Sequence, residues 1–109
     1  MCKPVAVVTG GAGFIGSHMV DVLVERGFTV RVIDDLTGGH AINLSGQENN
    51  PDVSVDVQDI RTLEPDSSIF SGARFVFHFA GIGDIVPSIE KPTEYFDVNV
   101  QGTVRVLEC

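Results

Sequence analysis

Residues Val5-Ala6-Val7-Val8-Thr9-Gly10-Gly11-Ala12-Gly13-Phe14-Ile15-Gly16 decide how this chain folds. The β-branched run Val5, Val7, Val8 and Thr9 has the composition of a buried parallel strand, and it stops at a glycine cluster. A helical apolar pattern begins at Phe14. Gly10, Gly13 and Gly16 recur at three-residue spacing. A strand, a glycine turn and a helix in that order bring backbone N–H groups and the positive end of a helix up to a pyrophosphate. A side chain there would block the tight turn, the phosphate approach or the packing of helix on strand. The triplet alone is a weak signal. Its strand-to-helix setting and a carboxylate at the right distance make it informative.

That carboxylate is Asp34. Thr29-Val30-Arg31-Val32-Ile33 reads as a second strand and runs directly into Asp34-Asp35. Asp34 follows Gly16 at close to the ~20-residue distance of the acidic residue that binds the adenosine ribose of a nicotinamide dinucleotide. A carboxylate there accepts from the ribose hydroxyls and repels a 2′-phosphate. Asp35 adds to the repulsion, and no Arg or Lys follows before Arg61, so NAD is expected rather than NADP. Without the glycine turn, Asp34 would read only as the polar end of a strand.

At 109 residues and 43% apolar content the chain is one domain at most, with enough apolar residues for a core. Its net charge of −8, with no cluster of Lys or Arg, argues against nucleic acid and anionic membranes as partners. An anionic cofactor is then expected to be held by backbone amides and a helix dipole. Cys2 and Cys109 lie at opposite ends and suggest neither a disulfide framework nor a metal site, which fits a reducing cytoplasm. His18, His40 and His78 share no metal-ligand spacing, and Ser17 and Ser88 lack a partner base. His78, at the end of an aromatic strand, is expected to be structural and hydrogen-bonded. No signal-type stretch opens the chain, and no run approaches the ~20 apolar residues of a bilayer span.

The pattern predicts a first helix over 14–26 with an apolar stripe of Ile15, Met19, Val22 and Leu23, ended by Gly27 in a left-handed cap. Residues 37–52 read as a polar loop with a short helical turn near Ile42, and 53–57 as a third strand. A weak helix is expected over 63–70 and a fourth strand over 74–80, broken by Gly81-Ile82-Gly83. Phe75, Phe77 and Phe79 read as core. Pro92 suits the first turn of a last helix, whose stripe of Phe96, Val100, Val104 and Leu107 is read first as core. Gly102 is expected to permit close packing. This alternation predicts an α/β fold: a Rossmann-type parallel sheet of strand order 3-2-1-4 with flanking helices, the first half of a doubly wound fold. The fourth strand is left with an open edge and the chain stops within a helical pattern. Residues 1–109 are therefore expected to be the N-terminal part of a dinucleotide-binding domain, without its catalytic and substrate-binding part.

Thr9-Gly10-Gly11-Ala12-Gly13-Phe14-Ile15-Gly16-Ser17-His18 resembles the opening signature of the extended short-chain dehydrogenase/reductases, the NAD-dependent nucleotide-sugar epimerases and dehydratases. Asp34-Asp35-Leu36, Asp59-Ile60-Arg61, His78-Phe79-Ala80-Gly81 and Asn99-Val100-Gln101-Gly102-Thr103 agree in order and spacing. With Lys91-Pro92-Thr93-Glu94-Tyr95-Phe96, the likeness covers the whole chain and is strongest toward the UDP-glucose 4-epimerase group. It implies that Gly10, Gly13, Phe14 and Ile15 surround the pyrophosphate, with Gly16 in the same turn. Asp34, beside Asp35, takes the adenosine ribose, and Asp59 and Ile60 flank the adenine. Phe79, Ala80 and Gly81 line the nicotinamide-side ribose, and Asn99 faces the cofactor from the last helix.

Two departures stand out. Gly83-Asp84 occupy the sugar side, where many relatives carry Lys or another polar residue, and an inward Asp84 would repel a diphosphate. The family's Tyr-x-x-x-Lys pair, normally encoded beyond residue 109, is absent as well. In that mechanism Lys lowers the Tyr pKa and the phenolate takes the hydroxyl proton as hydride passes to NAD. Tyr95 is the only tyrosine, with Asn99 four residues on and only Lys3 and Lys91 as lysines, so it reads as a packed aromatic and no catalytic residue is assigned. The expected function is the NAD-binding portion of an epimerase or dehydratase acting on a UDP-sugar by transient hydride transfer at C4, inactive in this 109-residue form. The alternatives are a non-catalytic nucleotide-binding module, or a relative with another reaction such as decarboxylation or carbonyl reduction. The resemblance also implies a homodimer through the last helix, and Ser88 is a candidate substrate contact.

Overall fold

The computed structural model describes residues 3–81 and 85–109, without the side chains of 85–87. Gly83 and Asp84, and with them the sugar-side departure, lie outside the described residues. Four parallel strands, β1 (Val5–Thr9), β2 (Thr29–Asp34), β3 (Val53–Val57) and β4 (Ala73–His78), lie in the order β3-β2-β1-β4. This is the expected order. In register, Val8 stands beside Val32 and Phe77, and Thr9 beside Ile33 and His78. The pairing of β1 with β4 slips by one residue after Val5, so Arg74 has no partner on β1. β4 ends two residues before the expected end. Phe79, Ala80 and Gly81 leave the ladder, although the Phe79 N–H still donates to the Thr9 carbonyl at 2.9 Å.

Helix α1 (Phe14–Glu25) covers one face of the sheet, and Gly27 closes it at φ +84° as expected. The buried side of α1 is Gly16, Ser17, Val20 and Leu23, which corrects the expected stripe, since Ile15 and Val22 are exposed. The helix's rotation follows from its point of closest approach: a side chain on Gly16 would run into the Gly10 carbonyl. The small side therefore faces the sheet, over Ala6, Val8, Val30 and Val32.

Past β3, the expected helix over 63–70 is replaced by two 3-10 turns, Ile60–Thr62 and Ser68–Phe70. Pro65 has no N–H to give a helix, and the following Asp66-Ser67-Ser68 favours turns. The carbonyls of this segment are taken up by Arg31, whose Nη1 donates to Ile69 O and Ser71 O at 2.7 Å each.

After the short helix α2 (Ile85–Glu90), which was not expected, α3 (Pro92–Phe96), a π-helical stretch (Asp97–Gln101) and α4 (Gly102–Glu108) follow one another in helical backbone as a single rod. It packs on the second face of the sheet, where Val7, Ile33, Ile60, Leu63 and Val106 form a separate cluster. Gly102 lets the rod approach: a Cβ there would lie 2.5 Å from Ile60 Cδ1. Because Gly102 and Val106 face inward, positions two residues away point outward, about 200° round the helix. Val100 and Val104 are accordingly exposed, and Phe96 and Leu107 are exposed as well, against the expectation of a core stripe. Phe75 and Phe79 are likewise exposed rather than core; Phe77 is half-buried against the α1 side. Among the described residues no helix is long and apolar enough to cross a membrane.

Candidate functional site

The carboxyl ends of β1, β2 and β4 open onto one crevice of about 450 Å³. Its floor is the glycine turn. Gly10 adopts φ +70°, and a Cβ there would stand 2.7 Å from the backbone of both Phe79 and Ala80, so β1 and the end of β4 can meet only at glycine. The Gly10 N–H donates to Ile33 O at 2.7 Å and its carbonyl accepts from Gly13 N at 3.1 Å, closing the turn. Gly13 then caps α1 without a side-chain hydrogen bond, and no acidic residue sits in the first turn. The leading amides of α1 have no intrahelical acceptor and no competing carboxylate, which is what an anion at a helix N-terminus needs.

Asp34 is only 6% exposed, yet lines the crevice. Its Oδ2 accepts from Ala12 N at 2.9 Å and its Oδ1 from Leu36 N at 2.7 Å. The second bond holds Leu36 in the left-handed region, φ +66°, where a leucine is strained. One carboxylate thus fixes the glycine turn and the exit from β2 together. Two of its roughly four acceptor positions remain for further donors such as ribose hydroxyls.

Asp59 is arranged differently. It accepts from Arg61 N at 2.8 Å, from Arg61 Nε at both oxygens, and from Arg61 Nη2 at 2.6 Å. The guanidinium holds the Asp59 carboxyl below its usual range, and the carboxylate raises Arg61 in turn. Three N–H donors make four contacts to its oxygens, so the acceptor positions of Asp59 are occupied against an adenine amine while this pair is closed.

Of the residues singled out from sequence, Gly10, Gly13, Asp34, Asp35, Asp59, Ile60, Phe79, Ala80 and Gly81 share the wall of this crevice. Phe14, Ile15, Gly16 and Asn99 do not line it. Phe14 and Ile15 turn their side chains to solvent, at 78% and 63% exposure, so only their backbone faces the turn. Asn99 lies across from Gly81, its Oδ1 3.0 Å from where a Cβ on Gly81 would stand.

The wall also contains residues the sequence reading left out. Thr37, Gly38 and Gly39 come from the loop after β2, Gln58 and Arg61 follow β3, and Lys91, Glu94, Tyr95 and Val98 come from the rod. The loop after β2 is docked rather than free. His40 N and Asn43 Nδ2 both donate to Ala12 O, at 3.1 and 2.8 Å, and Gly39 fits where a Cβ would meet the backbone of Ala12 and Gly13. The Gly38-Gly39 pair was the available signal. Lys91 and Arg61 place two cations in a wall expected to rely on backbone alone, although Arg61 is neutralised by Asp59. Among the described residues no group of three His, Cys, Asp or Glu could hold a metal.

His78 bridges β1 and the rod. Its Nδ1 lies 2.5 Å from Thr9 Oγ1 and its Nε2 2.9 Å from Thr103 Oγ1, the structural placement expected of it. Burial pushes its pKa below the usual imidazole value.

A parallel 3-2-1-4 sheet with an uncapped glycine turn and a buried carboxylate at the end of its second strand defines a fold of the Rossmann class. The profile of the NAD dependent epimerase/dehydratase family matches residues 6–109, and the chain belongs to that family. It is 41% identical over 103 residues to a putative UDP-glucose 4-epimerase of Methanocaldococcus jannaschii, covering 94% of this chain and 32% of that protein. Its structure superposes with a TM-score of 0.88 on the UDP-N-acetylglucosamine 4-epimerase of Methanobrevibacter ruminantium in complex with UDP-N-acetylmuramic acid, at 31% identity, covering all of this chain and 34% of that one. The UDP-glucose 4-epimerase of Stenotrophomonas maltophila, with bound NAD and formylated UDP-arabinopyranose, gives 0.83 at 30% identity, covering 97% and 32%. The chain spans about a third of the length of these relatives.

Proposed function

We propose that this chain is the NAD-binding portion of a nucleotide-sugar epimerase or dehydratase of the UDP-glucose 4-epimerase type. The observation that carries this reading is Asp34: buried in the crevice wall, bonded to the glycine turn through Ala12 N, and with acceptor capacity to spare. The cradle fits the cofactor in three respects. The first-turn amides of α1 can take the pyrophosphate, Asp34 the adenosine ribose, and the Phe79-Ala80-Gly81 wall, with Asn99 behind it, the nicotinamide end. Asp59 fits the adenine only if Arg61 releases it, so Ile60 and Gln58 are the better adenine contacts.

In the whole enzyme, NAD would supply reversible hydride acceptance at the sugar C4. The residues of this chain bind and orient; none holds the proton, because Tyr95 is followed by Asn99 where the family's pair has Lys. UDP-sugar binding, a cytoplasmic location and dimerisation through the rod belong to this same reading. The exposed Phe96, Val100, Val104 and Leu107 supply the apolar face such a dimer needs. The competing reading is a non-catalytic nucleotide-binding module. A reading frame that encodes the Tyr-x-x-x-Lys pair beyond residue 109 decides for the enzyme, and one without it for the module.

Calorimetric titration tests the cofactor assignment. NAD should bind saturably and NADP at least about tenfold more weakly, because Asp34 and Asp35 repel a 2′-phosphate. UDP-glucose should not be turned over by this chain alone. No saturable heat with either dinucleotide, or tighter binding of NADP, would overturn the assignment.

A further inference from the structure

The hydrogens around His78 can be placed without choice. Thr9 Oγ1 accepts from two backbone amides, Phe79 N at 3.1 Å and Ala80 N at 3.2 Å. A hydroxyl oxygen has two lone pairs and one proton, so the Thr9 proton is left to donate to His78 Nδ1. On the other side Thr103 Oγ1 gives its proton to Asn99 O at 2.6 Å, so that oxygen must accept from His78 Nε2–H. The Thr103 side requires the neutral Nε2–H tautomer, and the contacts of Thr9 agree with it. The relay runs from the amide of Ala80, in the crevice wall, through Thr9, His78 and Thr103, to the backbone of Asn99.

We propose that His78 is a positioning residue for the crevice: as its Nε2–H tautomer it ties the Phe79-Ala80 wall to the Asn99 turn of the rod, and a second proton on the ring takes one of the wall's two amides off Thr9. Protonation would aim Nδ1–H at an oxygen with no free lone pair. Thr9 must then turn its own proton away and drop an amide. Phe79 N also donates to the Thr9 carbonyl at 2.9 Å, so it is the amide released, and Ala80 N is left as the only amide on Thr9 Oγ1. The Thr9 hydroxyl faces the ring from β1 and the Thr103 hydroxyl from the rod. The groove beside it is lined by Phe70, Val76 and Val106, with the Cys109 thiol as its one other titratable side chain. No charged group contributes to the ring's shift, so nothing nearby rewards a second proton. A group bound neutral in the fold stabilises it fully above the unfolded value near 6.5, and that contribution is lost as pH falls through the lower folded pKa.

As a statement about how the crevice is held, this stands on the hydrogen-bond geometry; its consequence for affinity rests on the NAD reading above. Nitrogen-15 NMR of the chain should show Nε2–H at His78 at neutral pH, a midpoint below that of an ordinary imidazole, and a Phe79 amide that shifts with the same midpoint. Thr103→Val should relax the tautomer preference and Thr103→Ser restore it. NAD affinity should fall about five- to tenfold on acidification through that midpoint, the worth of one lost hydrogen bond, and His78→Gln should flatten the fall. An Nδ1–H tautomer, a Phe79 amide indifferent to the titration, or an unchanged pH profile in His78→Gln would overturn the proposal. Absence of NAD binding at every pH would count against the cofactor assignment instead, leaving the tautomer and the Phe79 amide to decide the role of His78.

Discussion

The β1–β2 half of the sheet and the β4–rod half differ in how completely this chain covers them. Val7, Val8, Val30, Val32 and Ile33 have no accessible surface at all. On the other side Phe75 is 47% exposed and Leu107 79%. The glycine turn and Asp34 thus sit on a scaffold the chain completes by itself, with α1 on one face and the Ile60–Leu63 and Val106 cluster on the other. The end of β4 and the rod contribute the opposite wall of the crevice yet present an open strand edge and an apolar helix face. The difference teaches that the Asp34 side of the crevice is held by residues already locked in place, while the β4 side carries exposed apolar surface.

The contrast is broken most directly at its tightest point. Gly10→Val combines a left-handed φ with backbone overlap at Phe79 and Ala80, and should cost about 3 kcal/mol or more, read by urea unfolding. Gly46→Ala, with open space around it, should stay within about 0.5 kcal/mol. Next in size, Val8→Ala should lose about 2 kcal/mol by leaving a cavity, and Phe75→Ser under about 1 kcal/mol. Equal losses would mean that the two halves are equally well packed. Asp34→Ala strands the buried Ala12 N–H and should cost about 1–3 kcal/mol, apart from any effect on ligand. The smallest effect belongs to the half-exposed Asp59–Arg61 pair. Because its carboxyl pKa is lowered, the pair's contribution is present above the unfolded value near 3.8 and disappears as pH falls through the folded value. Asp59→Asn should remove that acid-limb dependence while costing no more than about 1 kcal/mol at neutral pH.

Strand order and the glycine turn were legible because their signals are local: a β-branched run, a glycine triplet and a carboxylate one strand later. The helix faces were not. The stripe of Ile15, Met19, Val22 and Leu23 is a sound helical pattern, but the face that meets the sheet was selected by Gly16, where backbone approaches backbone. The rod repeats this at Gly102, whose missing side chain turned Val100 and Val104 outward. In both helices the small residue, not the apolar stripe, chose the buried side. The engagement of Asp59 by Arg61 was also hidden, since adjacency in sequence does not tell a bidentate pair from two solvated charges. The loop over 37–52 is docked by hydrogen bonds to Ala12 O, by Gln47 Nε2 on Asp21 and by one buried side chain, Leu44, which is too sparse a pattern to read.

The central claim is that Asp34, with acceptor capacity still open, grips the adenosine ribose while Asp59, saturated by Arg61, does not. NAD titrations of the chain and of Asp34→Asn and Asp59→Asn, followed by calorimetry, test it most directly. The account predicts that Asp34→Asn weakens binding at least about tenfold, as loss of a charge-assisted bond should, and that Asp59→Asn changes it by less than about threefold. Wild-type affinity in Asp34→Asn, or a larger loss in Asp59→Asn than in Asp34→Asn, would contradict it.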